Sequence, residues 1–144
     1  MRMASRGMPV LAAAAAVLLA TATAASATPG RGVEATTLAE RTVDGTDYVL
    51  KQLHVAPGGS TGWHTHAGVL HAEVERGTLT HNAADCAVDG VYGPGDRFTE
   101  PAGGTNVHIG RNLGETTVVM KVLYVLPEGS EHAEDAENPG CDFE

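Results

Sequence analysis

The sequence predicts an all-β chain folded as an antiparallel sandwich or barrel, and three observations carry that prediction. Short runs of strand-type composition recur between residues 48 and 126, separated by turn chemistry at Pro57-Gly58-Gly59, Gly93-Pro94-Gly95-Asp96, Gly103-Gly104 and Asn112-Leu113-Gly114. No 12-residue window carries apolar residues at the 3.6-residue spacing of an amphipathic helix. No internal repeat is visible, so the strands belong to one unit of single-domain length, 144 residues.

Residues 1–27 read as a cleaved export signal. Arg2 and Arg6 supply a short positive start, residues 10–20 are an unbroken apolar run, and Ala25-Ser26-Ala27 places small residues where a signal peptidase cuts. The competing reading is a membrane anchor, which needs roughly 20 strongly apolar residues, and Ala and Thr insert weakly. Cleavage after Ala27 leaves a smaller and more acidic chain, secreted or periplasmic, with no membrane association. The whole sequence already holds 18 Asp and Glu against 9 Lys and Arg, for a net charge of −9. That balance argues against nucleic acid as a partner, because phosphate binding rests on clustered cations.

Residues 28–46 read as an N-terminal extension and 47–127 as the barrel. Within it the predicted strands are 48–55, 70–76, 78–81, 91–92, 97–99, 106–109 and 116–126. Strand period 2 sets Leu70, Ala72 and Val74 on one face and His71, Glu73 and Glu75 on the other. Residues 118–126 are apolar on both faces apart from Lys121, which predicts cover from another segment or from a second copy in a homodimer. The tail, 128–144, has seven acids and no Lys or Arg, and reads as an extended, mostly solvated strap. In an exported chain Cys86 and Cys141 are expected to form a disulfide that pins this strap, with two free thiols as the alternative. In the chain-entropy picture such a bridge contributes about 4 kcal/mol. Neither cysteine sits in a metal-binding pattern.

Seven histidines are present. His64 and His66, two apart on a strand, project from one face and can meet a single ion. His108 lies on a later predicted strand, with Val107 and Ile109 on the opposite face. The arrangement Gly58, five residues, His64-Thr65-His66, then Gly77, resembles the first half of the cupin signature. Gly95, five residues, Pro101-Ala102-Gly103, then His108 and Asn112, is similar to the second half.

This resemblance implies a double-stranded β-helix, the cupin jelly-roll barrel, with metal ligands at His64, His66 and His108. The family's carboxylate ligand falls at Leu70, which cannot ligate, so that ligand is missing from its place; a bulge at Gly68 would turn His71 inward instead. The interval from Gly103 to His108 is two residues longer than the family pattern, and the usual histidine slot holds Asn106. Either His108 still reaches the site or Asn106 occupies it. Trp63, Leu70, His81, Asn106 and Asn112 are the expected pocket-lining or ligand-supporting residues.

A three-histidine site accepts zinc, iron, copper, nickel or manganese. The resemblance implies a metal-dependent oxidoreductase, such as a dioxygenase acting on a small organic molecule; the alternative is a noncatalytic protein holding a metal or small ligand outside the cytoplasm. No general base is expected in the inward-facing set.

Overall fold

A computed structural model describes residues 27–144. The expected export segment, apart from Ala27, lies outside the described residues. Ten strands form, every pairing between them is antiparallel, and no helix occurs among the described residues. No helix there is long and apolar enough to cross a membrane. The strands are β1 (Arg31–Val43), β2 (Thr46–Ser60), β3 (His64–Thr65), β4 (Val69–Arg76), β5 (Leu79–Ala83), β6 (Val88–Tyr92), β7 (Arg97–Glu100), β8 (His108–Arg111), β9 (Val118–Pro127) and β10 (Glu134–Asp135).

Hydrogen bonding runs in the order β10-β3-β8-β2-β9-β4-β7, with β1 added to β2, β5 to β8 and β6 to β5. One face of the barrel is therefore β1-β2-β9-β4-β7, and the other is β10-β3-β8-β5-β6. The long strand β2 serves both. Residues Thr46 to Val55 pair with β9, and Ser60 pairs with β8. Pro57-Gly58-Gly59 lies inside this strand and bends it, with Gly58 at φ 74° and the β1–β2 register slipping beside it, between Arg31 and Val33. A turn sequence has become a barrel corner.

The core fills the space between the two faces. Val49, Leu53 and Val55 of β2, Leu70, Ala72 and Val74 of β4, and Val118, Met120, Val122, Tyr124 and Leu126 of β9 are buried together with Leu79. The period-2 reading of β4 holds, since His71 and Glu75 are exposed and Glu73 is half-buried. The outer residues of β9, Val119, Leu123 and Val125, are half-buried. Beside them, Lys121 pairs with Glu75 and Arg97 with Glu73, each at 2.7 Å, so long side chains of neighbouring strands screen part of that face.

Two segments differ from the sequence reading. Residues assigned to an N-terminal extension form β1, paired with β2 along its length. Asp44-Gly45, both at positive φ (49° and 76°), is the two-residue turn that joins them. Its strand is exposed on nearly every residue, so it carries no alternation to read. The tail is more than a solvated strap, because Glu134 and Asp135 add β10 to the edge of β3. Cys86 and Cys141 are bonded, with Cα atoms 5.5 Å apart.

Candidate metal centre

The site forms where β3, β7 and β8 converge inside the barrel. His64 stands directly opposite His108 across the β3–β8 pair. Leu70 stands directly opposite Glu100 across the β4–β7 pair. The carboxylate missing from the Leu70 position is thus supplied by the adjacent strand, aimed into the same interior. One ligand atom from each of His64, His66, Glu100 and His108 lies within 4.8 Å of the others.

Glu100 corrects the expectation that no general base or carboxylate faces inward. Its side chain is 12% exposed, with Oε2 at 3.0 Å from His66 Nε2 and 3.3 Å from His108 Nε2. The strand predicted from the sequence ends at Thr99, one residue short of Glu100. One more residue carries the alternation from half-buried Phe98 to half-buried Glu100, past exposed Arg97 and Thr99, and that period was the available signal.

Backbone carbonyls fix the tautomer of each ligand histidine. Nδ1 lies 2.8 Å from the Gly62 carbonyl in His64, 2.7 Å from the His132 carbonyl in His66, and 2.7 Å from the Asn106 carbonyl in His108. A carbonyl only accepts, so each Nδ1 carries the proton and donates it. Each Nε2 therefore presents a bare lone pair. Those of His66 and His108 are buried without a hydrogen-bond partner, and they face a carboxylate oxygen that also only accepts. Lone pairs of like polarity converging on one buried point are favourable only around a cation, and three imidazoles with one carboxylate suit a divalent transition metal.

The charge environment agrees. Burial, together with the neighbouring His108 and His66, pushes His64 down to about 4, so it is neutral and ready to ligate near pH 7.

The other predicted residues separate into those that meet the site and those that support it. His81 is buried, stacks on His108 with ring centroids 5.0 Å apart, and places Nε2 3.5 Å from Glu100 Oε1. Its Nδ1 lies 2.5 Å from Asp89 Oδ1. Burial lowers the affinity of this ring for a proton, and Glu100 and Asp89 more than restore it, so His81 titrates above its ordinary value. Asp89 was not foreseen; it lies on the exposed hairpin strand β6, outside the motif spans.

Asn106 does not take the ligand position. Its side chain donates to the Ala102 carbonyl at 2.6 Å, while its own carbonyl accepts from His108, so the longer loop still delivers His108. His71 remains exposed beside Thr99, and no bulge at Gly68 turns it inward. A Cβ at Gly68 would fall 2.0 Å from the Val125 carbonyl oxygen, so that glycine serves a close strand crossing. Leu70 lines the interior beside His64 and His66. Asn112 is fully buried and donates to the Val55 and Thr116 carbonyls, which closes the corner near β8. Trp63 is fully buried and stacks on Phe143 of the tail at 5.9 Å.

A cavity of about 140 Å³ opens against Glu100 and His108, walled by His81, Asp89, Tyr92, Phe98 and Asn106 among others. Tyr92 and Phe98 are stacked with centroids 4.2 Å apart.

No family model matches the sequence, and no curated protein matches it. Solved structures do match. The polyketide cyclase RemF from Streptomyces resistomycificus superposes with a TM-score of 0.59 at 22% identity, over 86% of this chain and 90% of that one. A cupin domain from Bordetella pertussis Tohama I gives 0.55 at 22% identity, over 65% and 93%. An oxalate oxidase in complex with the substrate analogue glycolate gives 0.56 at 21% identity, over 69% and 53%. At these identities the likeness establishes the architecture, an all-β double-stranded β-helix of the cupin type.

Proposed function

We propose that this cupin-fold chain is an extracytoplasmic protein that holds one divalent transition metal through His64, His66, Glu100 and His108, and that it acts as a metal-dependent oxidoreductase on a small organic molecule. The observation that carries the metal reading is the convergence of carbonyl-fixed imidazole lone pairs on the Glu100 carboxylate. The donor set suits zinc, iron, copper, nickel or manganese. Bound there, such an ion would supply Lewis acidity or a place for oxygen.

The chain's own residues define what can approach. A cavity of about 140 Å³ is close to the roughly 150 Å³ that accommodates benzene in a protein interior, so the partner is a single small molecule. Tyr92 and Phe98 offer it a flat apolar wall, while Asp89 holds His81 against the second oxygen of Glu100. A cyclase and an oxidase among the structural matches support small-molecule chemistry in this barrel. The disulfide, together with the signal-like residues 1–27, supports a place outside the cytoplasm.

Elemental analysis of untagged protein tests the metal reading. Near-stoichiometric transition metal is expected, absent from a His64→Ala/His66→Ala variant; wild-type protein that neither carries a metal nor takes one up would overturn it. Oxygen consumption with a panel of phenols, flavonols and thiols then tests the oxidoreductase reading. Turnover supports it, and tight metal binding with no turnover of any compound assigns the chain to noncatalytic binding.

A further inference from the structure

Resting on the metal reading above, we infer that the acidic C-terminal strap is a working part of the metal site, and that the Cys86–Cys141 bridge sets how tightly the site holds its ion. The three ligand histidines differ in where their orienting carbonyls come from. For His64 and His108 the carbonyl lies two residues away in the same segment, at Gly62 and Asn106. For His66 it belongs to His132, 66 residues away on the strap. The tautomer and ring plane of one ligand thus depend on where the tail is.

The strap reaches the same strand twice more. β3 is two residues long, held on one side by His64 facing His108 and on the other by Glu134 and Asp135 of β10. Beyond it, the Ala136 amide donates to the Trp63 carbonyl at 2.8 Å. No residue from 128 to 144 is buried, so the strap has no core of its own. Around His132 it is held by β10, by the Thr28 amide and hydroxyl on the Ala136 carbonyl, and by Lys51 and Tyr124 against the His132 ring. Beyond residue 137 its anchors are few, namely Phe143 against Trp63, the Arg111 guanidinium 3.7 Å over Phe143, an exposed Arg31–Glu144 ion pair and the disulfide. An exposed ion pair adds little.

Cys86 lies in the turn between β5 and β6, just past Ala83, which stands opposite His108. The bridge therefore clamps the strap that orients His66 to the hairpin that carries His81 and Asp89. Reduction by a dithiol breaks the one S–S bond: two electrons and two protons pass to Cys86 and Cys141, each ends as a thiol, and the reductant becomes a disulfide. The end of the strap is then tied to the hairpin by noncovalent contacts alone, and the segment that presents the His132 carbonyl is free to shift on His66 while every ligand stays in place. Removing the group that orients a metal-bound histidine lowers metal affinity about 10- to 100-fold.

The test compares full-length bridged protein with a Cys86→Ser/Cys141→Ser variant, and with reduced wild type freed of reductant under argon. Zinc affinity is measured by competition with a chromogenic chelator, and circular dichroism verifies folding. In the metal-free proteins, imidazole nitrogen shifts by NMR report each tautomer. The bridged chain should show one Nδ1–H tautomer at His64, His66 and His108. Without the bridge, His66 alone should become a mixture, zinc affinity should fall at least tenfold, and reoxidation of the reduced protein should restore both. Equal affinity with and without the bridge, or loss of all three tautomers together, overturns the inference. Bridged protein that binds no zinc overturns the metal reading instead, and the His66 tautomer still reports on the strap.

Discussion

Acidification of the metal-free protein should destabilise it through His64 in a defined pH window. The folded chain keeps this imidazole neutral down to about 4, chiefly because it is buried and secondarily because His108 and His66 lie beside it, whereas the unfolded chain protonates it at 6.5. A group whose folded pKa is depressed contributes stability that is fully present above 6.5 and is lost as pH falls towards 4. At about 1.4 kcal/mol per pH unit, that gap amounts to about 3 kcal/mol, most of it gone by pH 4.5. His81 has the opposite sign: its raised value contributes stability below 6.5 that is lost as pH rises through its folded value, outside this window. Urea unfolding in the presence of EDTA, at pH 7 and at pH 4.5, reads the effect. A His64→Gln variant should lose about 2 to 3 kcal/mol less than wild type between those two pH values. Identical losses in both proteins would refute the assignment of a buried neutral imidazole at this position.

Three further outcomes follow from the same geometry. Glu100→Gln keeps shape and polarity but removes the anionic ligand, so zinc affinity measured by chelator competition should drop by at least tenfold while the melting temperature of the metal-free protein holds within a few degrees; unchanged affinity would contradict ligation by Glu100. Trp63→Ala empties a fully buried site and releases Phe143, and should cost about 3 to 5 kcal/mol in urea unfolding; a loss under 1 kcal/mol would mean that the tail does not seal this end. Gly68→Ala would force a Cβ to 2.0 Å from the Val125 carbonyl oxygen and should cost more than about 2 kcal/mol, whereas Gly129→Ala, where a Cβ meets nothing but φ is +78°, should cost about 1 kcal/mol. Equal costs would show that the β4–β9 crossing is looser than it stands here.

The parts of the architecture legible in the sequence are those where burial imposes a period. β4 alternates Leu70, Ala72 and Val74 inward with His71, Glu73 and Glu75 outward, so its one buried face writes itself into the residues, whereas β9, apolar on both faces apart from Lys121, reads as a strand without showing which face is inward. β1 lacks such a face, so thirteen residues of strand looked like an extension. The site divides in the same way. His64, His66 and His108 are visible because local spacing sets where they point, and the register that places them opposite one another follows from the barrel. Glu100 and the His132 carbonyl are brought in by pairings between distant segments, β7 on β4 and the tail on β3. A carboxylate moved from Leu70 to the strand opposite leaves the interior chemistry in place while vacating the motif position. The backbone carbonyl that orients His66 carries no side-chain signature at all.

X-ray absorption at the zinc edge of the loaded protein tests the central claim most directly, because multiple scattering counts imidazoles. The structure predicts three imidazole nitrogens at about 2.0 to 2.1 Å and one carboxylate oxygen at about 2.0 to 2.2 Å. A shell with four imidazoles would put His81 in place of Glu100, and a shell with one imidazole or none would place the metal elsewhere; either result would contradict the account.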